Sequence, residues 1–288
     1  MRHLAIIPAA NEGRLIGDTL ASLLAQTDPP SRIVVVDDGS SDDTVAVVDA
    51  VAARHPSVQL LRHRTRGGDA MGPAVVRAFQ FAYDQFGPDG YAYVSKFDAD
   101  LVFPVNYCAT VLGHLDQHPD VGVAGGVLFE AAGGKRVWLR ASPNHVLGAL
   151  KTFRQIALDA IGGFEPITGW DIIDQVKLRM LGWRTAVLAT LPVLHRRAHG
   201  SRDGHLAGKA HWGRGAWVTG SHPLFVLARG LYRACEPPYV IGGLAFWGGY
   251  LLAALTGVPR LRDPAVTTRL RTEQLHRLRT WNRLGSEE

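Results

Sequence analysis

The sequence has few cysteines, and they form no recognisable metal or disulfide pattern. Only Cys108 and Cys235 occur among the 288 residues, without a Cys-x-x-Cys pair or a neighbouring histidine cluster. This scarcity argues against a disulfide scaffold and against a structural zinc site. We therefore expect reduced thiols in an intracellular protein.

The N-terminus lacks the apolar stretch of a cleavable secretory signal. Residues 3–8 instead form a short strand-like apolar run that ends at a proline. A signal peptide would need a longer apolar region followed by a cleavage site. We therefore expect the folded domain to face the cytoplasm.

Positive charge exceeds negative charge, and the surplus is concentrated near one end. The formal net charge is +5, with 47% hydrophobic and 20% charged residues, a composition typical of globular proteins. Seven arginines fall in the last thirty residues: Arg260, Arg262, Arg269, Arg271, Arg277, Arg279 and Arg283. Because basic residues avoid the loops that could form a cleft and lack interleaved aromatics, nucleic-acid binding is disfavoured.

Short apolar runs alternate with helical patterns along the chain. In the first half, strands are predicted at 3–8, 32–36, 58–61 and 91–97, helices at 11–26, 45–52 and 74–86, and a loop at 67–73. In the second half, strands are predicted at 121–129 and 186–194, and helices at 147–160 and 170–181. This order indicates an α/β fold with a mainly parallel central sheet flanked by helices.

Three predicted loops follow the carboxyl ends of these strands. They comprise residues 8–12, 37–43 and 98–100, and the last two are rich in carboxylates. Ligands of open α/β sheets bind outside this edge of the sheet. The sequence therefore predicts that the three loops meet in one ligand cleft.

Asp98-Ala99-Asp100 directly follows a predicted buried strand. Two carboxylates at this spacing can share a hard divalent cation and leave open positions for phosphate oxygens. Taken alone, the same pattern also fits a solvated turn. The acidic loop at 37–43 has two interpretations as well, since it could bind a nucleoside or cap the helix that follows.

Five ordered segments resemble the inverting family 2 glycosyltransferases of GT-A fold. The resemblance covers most of residues 1–200, and its segments are IPAANE at 7–12, IVVVDDGSSD at 33–42, KFDAD at 96–100, IGGF at 161–164 and the helix region 169–183. Any one of these motifs alone would be a weak signal. Their occurrence together and in the family's order is specific.

The resemblance implies a nucleotide-sugar donor and a Mg²⁺ or Mn²⁺ cofactor. By this analogy the nucleoside contacts would be Pro8, Ala10, Asn11, Glu12 and Asp38. Asp98 and Asp100 would serve ribose, diphosphate and cation, with Asp100 as the direct ligand. Arg66 lies where many relatives carry a basic donor contact, although the spacing differs.

The family's catalytic base corresponds to Asp171. Such a base takes a proton from the acceptor hydroxyl as that hydroxyl attacks the anomeric carbon. Here Trp170 replaces the family's preceding glutamate, and a second carboxylate, Asp174, follows one helical turn later. The alternative is that Asp171 only complements the positive end of the helix dipole.

His195 ends a predicted strand and is a candidate third metal ligand. A purely structural histidine at a strand end fits the pattern equally well. The basic stretch beside it comprises Arg196, Arg197, His199 and Arg202. It could clamp a diphosphate or form a solvated loop.

Residues 238–259 contain no charged residue and five glycines. This segment could span a membrane, re-enter it, lie at its surface or pack against the domain. Together with the arginine-rich tail it favours contact with the inner membrane leaflet through residues 238–283. The alternative is a solvated amphipathic helix that covers the domain or makes a dimer.

The sequence thus predicts a GT-A glycosyltransferase domain over 1–220 and a helical region over 221–288. The predicted activity is sugar transfer to a saccharide or lipid-linked acceptor in polysaccharide or glycolipid synthesis, at the cytoplasmic face of a membrane. A nucleotidyltransferase or pyrophosphorylase is the main alternative, but no glycine-rich phosphate loop occurs at 8–14. The other alternative is a non-catalytic nucleotide-sugar-binding protein.

Overall fold

Strands and helices alternate through the first half of the protein. The computed structural model describes residues 2–63, 71–87, 90–139, 142, 144–197 and 204–280. The strands are β1 (His3–Ala9), β2 (Arg32–Asp38), β3 (Val58–His63), β4 (Tyr93–Phe97), β5 (Leu101–Val102), β6 (Val121–Ala132), β7 (Lys135–Trp138), β8 (Leu150–Arg154) and β9 (Arg184–His195). The helices are α1 (Ile16–Leu24), α2 (Thr44–Ala52), α3 (Met71–Phe86), α4 (Tyr107–Gln117), α5 (Gln155–Ala160), α6 (Trp170–Met180), α7 (His205–Val218), α8 (Pro223–Ala234), α9 (Ile241–Leu255) and α10 (Pro264–Thr280).

Two compact units share these elements. The first unit comprises residues 1–166 and 181–198, and the second comprises 167–180 and 199–288. The second unit therefore takes α6 and α7 together with the C-terminal helices. This division differs from the ranges 1–220 and 221–288, and the domain boundary at 220 stays a prediction.

The sheet of the first unit is parallel where the predicted loops leave it. Its strand order is β3-β2-β1-β4-β8-β6-β9-β5, with β7 paired to β6. The neighbours β3, β2, β1 and β4 all run parallel, and β6 runs parallel to β9. The α/β fold class is confirmed, and β1, β2 and β4 end at the same edge.

The predicted helix over 147–160 is wrong. Residues 150–154 form β8, which pairs antiparallel with β4 and β6, and only residues 155–160 form a helix. Four of the five β8 residues are buried. A short run that is buried on both sides carries no period that separates a strand from a helix.

The predicted loop at 67–73 also ends earlier than expected. Its first part falls among residues that the structure does not describe, and α3 already begins at Met71. Pro73 lies in the first turn of α3, where a missing N–H removes no helical hydrogen bond. Gly72 and Pro73 of the predicted loop therefore belong to the first turn of α3.

The arginine-rich helix α10 packs against α6 inside the second unit. Ile173 and Val176 of α6 are fully buried with Val266 and Leu270 of α10. Two hydrogen bonds of 3.0 and 2.7 Å join the guanidinium of Arg179 to the carboxylate of Glu273. The apolar side of α10 is therefore occupied within the unit.

Helix α9 forms the centre of the segment that has no charged residue. It has 15 residues, and among the residues that the structure describes no helix has the length and apolar composition to cross a membrane.

The glycines of α9 permit close contact with its neighbours. A Cβ atom on Gly249 would lie 1.9 Å from the carbonyl oxygen of Ala210 in α7. A Cβ atom on Gly243 would lie 2.5 Å from the carbonyl oxygen of Gly230 in α8. Glycines have a low helix propensity, but in α9 they allow the backbone to approach the backbones of α7 and α8.

Two neighbouring glycines of α9 provide a matched test of this packing. We expect Gly249→Ala to lower the free energy of unfolding by about 1–3 kcal/mol, because the new methyl group overlaps the α7 backbone. A Cβ atom on Gly248, in the same helix, would meet no atom of the described residues within 4 Å. Gly248→Ala should raise stability by about 0.5–1 kcal/mol through helix propensity. Urea unfolding measures both, and equal effects would contradict the packing.

Candidate functional site

The loops after β1 and β2 are joined by hydrogen bonds at the edge of the sheet. The N–H of Asn11 donates to Ser40 Oγ at 2.9 Å, and Asn11 Oδ1 accepts from the N–H of Ser41 at 2.8 Å. The N–H of Glu12 donates to Thr44 Oγ1 at 2.8 Å. Asn11 has a φ of 57°, a left-handed conformation that asparagine tolerates better than most residues. The first two predicted loops therefore meet.

The two aspartates that end β2 differ in their surroundings. Asp37 is buried and accepts a hydrogen bond from the N–H of Ser40 at 3.2 Å, so it shapes the turn. Asp38 is half-buried, which agrees better with its predicted role as a nucleoside contact. Asp42 accepts from the N–H of Thr44 at 3.0 Å. The acidic loop thus also satisfies the start of α2, as the alternative interpretation expected.

A cleft of about 560 Å³ opens beside these loops. Glu12 is buried there, and both of its carboxylate oxygens accept hydrogen bonds from the guanidinium of Arg197, at 3.0 and 2.6 Å. This two-bond geometry is the strongest form of an arginine–carboxylate pair. The cleft is lined by Asn11, Glu12, Arg14, Leu15, Asp42, Asp43 and Arg197.

Thr19 of α1 fixes the backbone of the acidic segment after β4. Its buried hydroxyl donates to the carbonyl of Ala99 at 2.8 Å and accepts from the N–H of Leu101 at 3.1 Å. On the far side, the N–H of Arg196 donates to the carbonyl of Asp100 at 2.9 Å. The segment therefore has a defined backbone, unlike a solvated turn.

The two carboxylates of this segment have different cation partners. Asp98 forms an ion pair with the buried ammonium of Lys96. Asp100 is buried, and its Oδ2 lies 3.4 Å from His195 Nε2. The other oxygen, Asp100 Oδ1, is buried and has no hydrogen-bond partner among the residues that the structure describes.

The pKa shifts of Asp100 and His195 both favour the charged form of the group. Burial opposes ionisation of Asp100, but the hydrogen bond and charge of His195, with Arg197 and Lys96, lower its pKa below the ordinary value. Burial also opposes protonation of His195, but Asp100, Asp98 and Glu130 raise its pKa above 6.5. Arg197 thus acts on both Glu12 and Asp100.

The predicted metal ligands fit a cation only in part. In the described portion of the chain, no three His, Cys, Asp or Glu side chains cluster as a metal site would. Asp100 nevertheless presents a buried carboxylate oxygen without a hydrogen-bond donor, and such an oxygen suits a hard divalent cation. Asp98 and His195 as further ligands stay predictions.

Asp171 and Asp174 belong to the second unit. Asp171 lies in the first turn of α6 and is half-buried. Asp174 is buried, and its Oδ1 accepts a hydrogen bond from the N–H of Gln175 at 2.6 Å. Asp171 is the more exposed of the two, and its role as the base, with Asp174 as the second candidate, stays a prediction.

Several other predicted positions can now be placed. Pro8 and Ala10 are half-buried at the end of β1 and just after it. Arg196 forms an ion pair with Asp18 at 3.0 Å, so the described part of the basic stretch is engaged by carboxylates. Arg66, His199 and Arg202 lie outside the described residues.

Sequence reasoning missed three contributors to the site. Thr19 lies on a helix face that the pattern assigns to the core. Lys96, quoted only as part of the KFDAD segment, lies one residue before the end of β4. Glu130 lies 3.7 Å from His195 Nδ1, across the β6–β9 pairing. Among these three, only Lys96 could have been noticed in the sequence. A lysine within a predicted buried strand needs a partner for its charge.

Comparison with known proteins identifies the family. The profile of the family described as glycosyl transferase family 2 matches residues 4–169, which is more than half of the chain. The chain belongs to glycosyl transferase family 2. The match covers the strand-end loops and stops just before α6.

Two curated relatives carry names that involve polyprenol carriers. Undecaprenyl-phosphate mannosyltransferase of Micrococcus luteus is 37% identical over 100 residues, 35% of this chain and 38% of the relative. Polyprenol monophosphomannose synthase of Mycolicibacterium smegmatis is 28% identical over 137 residues, 48% of this chain and 49% of the relative. The matched segments thus span about half or less of these relatives' lengths.

Solved structures share the fold. The mannosyltransferase PcManGT from Pyrobaculum calidifontis, solved in complex with GDP-Man and Mn²⁺, matches 97% of this chain and 82% of its own, with a TM-score of 0.59 and 22% identity. At this identity the likeness shows the fold alone. The present chain thus has the GT-A fold.

The two adjacent arginines provide a test of the Glu12 pair. We expect Arg197→Met to lower the free energy of unfolding by about 1–3 kcal/mol, because it removes the two hydrogen bonds that the guanidinium donates to the buried carboxylate of Glu12. Arg196→Met is the control, since its pair with Asp18 is about half exposed, at 44% and 50%. That change should cost less than about 1 kcal/mol. Equal losses in urea unfolding would contradict the special role of Arg197.

Proposed function

We propose that this protein is an inverting glycosyltransferase that moves a sugar from a nucleoside diphosphate donor to an acceptor hydroxyl. The observation that carries the proposal is the arrangement around Arg197. Its guanidinium donates two hydrogen bonds to the carboxylate of Glu12, in the loop after β1. Its charge also contributes to the lowered pKa of Asp100, in the segment after β4. A residue that acts on both loops supports a donor site that extends across them.

The nucleoside would bind against the loops after β1 and β2. Pro8, Ala10, Asn11, Glu12 and Asp38 are the proposed contacts, with Arg66 and Asp98 as further donor contacts. The hydrogen bonds between these loops support the proposal, because they hold the loops in place before the donor binds. The guanidinium of Arg197 would then face the diphosphate as well as Glu12.

Asp100 would hold a Mg²⁺ or Mn²⁺ ion, with Asp98 and His195 as further candidates. When bound, such a cation supplies positive charge that stabilises the departing nucleoside diphosphate. The buried oxygen of Asp100 without a donor supports this role. The complex of the solved mannosyltransferase with GDP-Man and Mn²⁺ lends further support.

Asp171 would be the catalytic base and Asp174 its buried neighbour. The acceptor oxygen forms a bond to the anomeric carbon as the bond from that carbon to the phosphate oxygen breaks. The hydroxyl proton passes to the carboxylate of Asp171, and the configuration inverts. The half-buried position of Asp171 at the start of α6 supports this choice.

The acceptor would be lipid-linked or saccharide, in glycolipid or cell-surface polysaccharide synthesis. The names of the two polyprenol-related relatives support a lipid-linked acceptor. With such an acceptor the enzyme would act at the cytoplasmic face of a membrane. We include contact with the inner leaflet through residues 238–283 in the proposal.

A donor screen tests the activity. The full chain is incubated with UDP-, GDP- and TDP-sugars, each with Mn²⁺, with Mg²⁺ or with a chelator, and the released nucleoside diphosphate is measured. We expect one nucleotide class to be hydrolysed faster than the others by at least about tenfold, and only with a cation. Release of pyrophosphate in place of a nucleoside diphosphate would contradict the proposal and favour a nucleotidyltransferase.

The two aspartates of α6 test the mechanism. Asp171→Asn removes the proton acceptor and keeps the side-chain shape, so transfer should fall by about 10²- to 10⁴-fold while donor affinity is unchanged. Asp174→Asn is the matched control and should retain more transfer than Asp171→Asn. The transfer rate of each variant is measured at saturating donor and acceptor. Full transfer by Asp171→Asn would remove it as the base.

A further inference from the structure

Helices α8 and α9 expose large apolar side chains to solvent. On α8, Leu224, Leu227 and Leu231 recur at helical spacing, and each is more than half exposed. On α9, the exposed set is Ile241, Leu244, Leu251, Leu252 and Leu255, with exposed fractions from 54% to 85%. Apolar faces of this extent are uncommon on monomeric proteins that contact only water.

The small residues of α9 face inward, towards α7 and α8. Gly243 and Gly249 meet the backbones of α8 and α7, and Ala253 is buried. The leucines lie on the opposite side. Helices that face lipid have the same arrangement, with small residues where helices contact each other and large apolar residues on the outside.

Positive charge exceeds negative charge near this face. Residues 223–263 contain four arginines and two acidic residues, Glu236 and Asp263. Arg260 and Arg262 are exposed, whereas Arg229 and Arg233 are partly buried. The carboxylate of Glu236 already accepts a hydrogen bond of 2.6 Å from Arg233. The leucines and arginines of this face therefore complement a surface with an apolar interior and anionic groups at its boundary with water.

Helix α10 is the less suitable candidate for this contact, although it holds more arginines. Its buried Val266 and Leu270 pack on α6, and Glu273 binds both Arg179 and Arg269. Its apolar side is thus already used within the second unit. Of the predicted membrane-contact region 238–283, only the part with α9 therefore remains a candidate, and α8, which precedes that region, joins it.

We propose that the outer face of α8 and α9 docks on an anionic phospholipid bilayer, with its leucines inserted among the acyl chains and the exposed Arg260 and Arg262 at the phosphates. A helix of 15 residues is about 22 Å long, shorter than the roughly 30 Å hydrocarbon core, so it would lie in the interface. A second copy fits less well, because pairing this face with itself brings two sets of arginines together. The proposal rests on the proposed function only in that a lipid-linked acceptor would be reached there.

Vesicle flotation of the full chain tests the proposal. We expect flotation with vesicles of phosphatidylcholine and phosphatidylglycerol at three to one, and less with phosphatidylcholine alone. The triple change Leu251→Ser, Leu252→Ser, Leu255→Ser should reduce the bound fraction by at least about tenfold. The matched control is Val105→Ser, Ile156→Ser, Leu181→Ser, three residues of the first unit with 55–65% exposure, and it should bind like the unchanged protein.

Charge and folding are tested separately. Arg260→Gln with Arg262→Gln should remove the preference for anionic vesicles, whereas Arg62→Gln with Arg184→Gln, two arginines of the first unit that are 70% and 68% exposed, should not. Leu255→Ser alone, at the most exposed position, should retain the thermal unfolding transition and still weaken binding by about threefold. This single variant keeps the test decisive if the triple variant does not fold.

Three outcomes would overturn the proposal. They are absence of flotation with either vesicle, flotation unchanged by the serine substitutions, and a lipid-free dimer in sedimentation that those substitutions dissociate. The last outcome would assign the face to a second copy. Flotation requires no nucleotide sugar, so loss of flotation with donor hydrolysis intact rejects only the docking face, and the reverse result rejects only the transferase.

Discussion

Three carboxylates at one edge of the sheet each lie beside a basic side chain, and the candidate site of the first unit depends on these contacts. Glu12 pairs with Arg197, Asp98 with Lys96 and Asp100 with His195. Buried carboxylates without such partners would be costly. A nucleoside diphosphate that approaches this edge meets the same negative charge. The proposed cation and Arg197 would allow the donor and the carboxylates to occupy one cleft.

The backbone around these carboxylates is fixed by neutral groups. The hydroxyl of Thr19 holds both sides of Ala99, and the loops after β1 and β2 bind one another through Asn11 and Glu12. Rigid loops keep the charged side chains in position without a ligand, which lowers the entropy cost of binding. The second unit follows a different principle, because its helices approach closely through glycines and leave leucines outside.

Periodic segments could be predicted from the sequence, and segments buried on both sides could not. The alternation from β1 to β4 follows directly from apolar runs and acidic loop residues, so the edge that holds the site could be located. Residues 150–154 were missed because this strand is buried on both faces, including its polar Lys151 and Thr152, so its polarity does not alternate as in a half-exposed strand. Thr19 and Glu130 could not be predicted, since they lie far along the chain from Ala99 and His195, which they face. Lys96 lies only two residues before Asp98, but its position in an apolar strand does not name that aspartate as its partner. The glycines of α9 gained their meaning only from the helices beside them.

Cation-dependent nucleotide binding is the most direct measurement of the donor-site account. Calorimetric titration of GDP and UDP into the full chain, with and without Mn²⁺, gives the affinity that the cation adds. We expect the unchanged protein to bind one nucleotide at least about tenfold more tightly with Mn²⁺, and Asp100→Asn to lose that increment. Equal affinity with and without Mn²⁺, or an increment that survives in Asp100→Asn, would contradict the account.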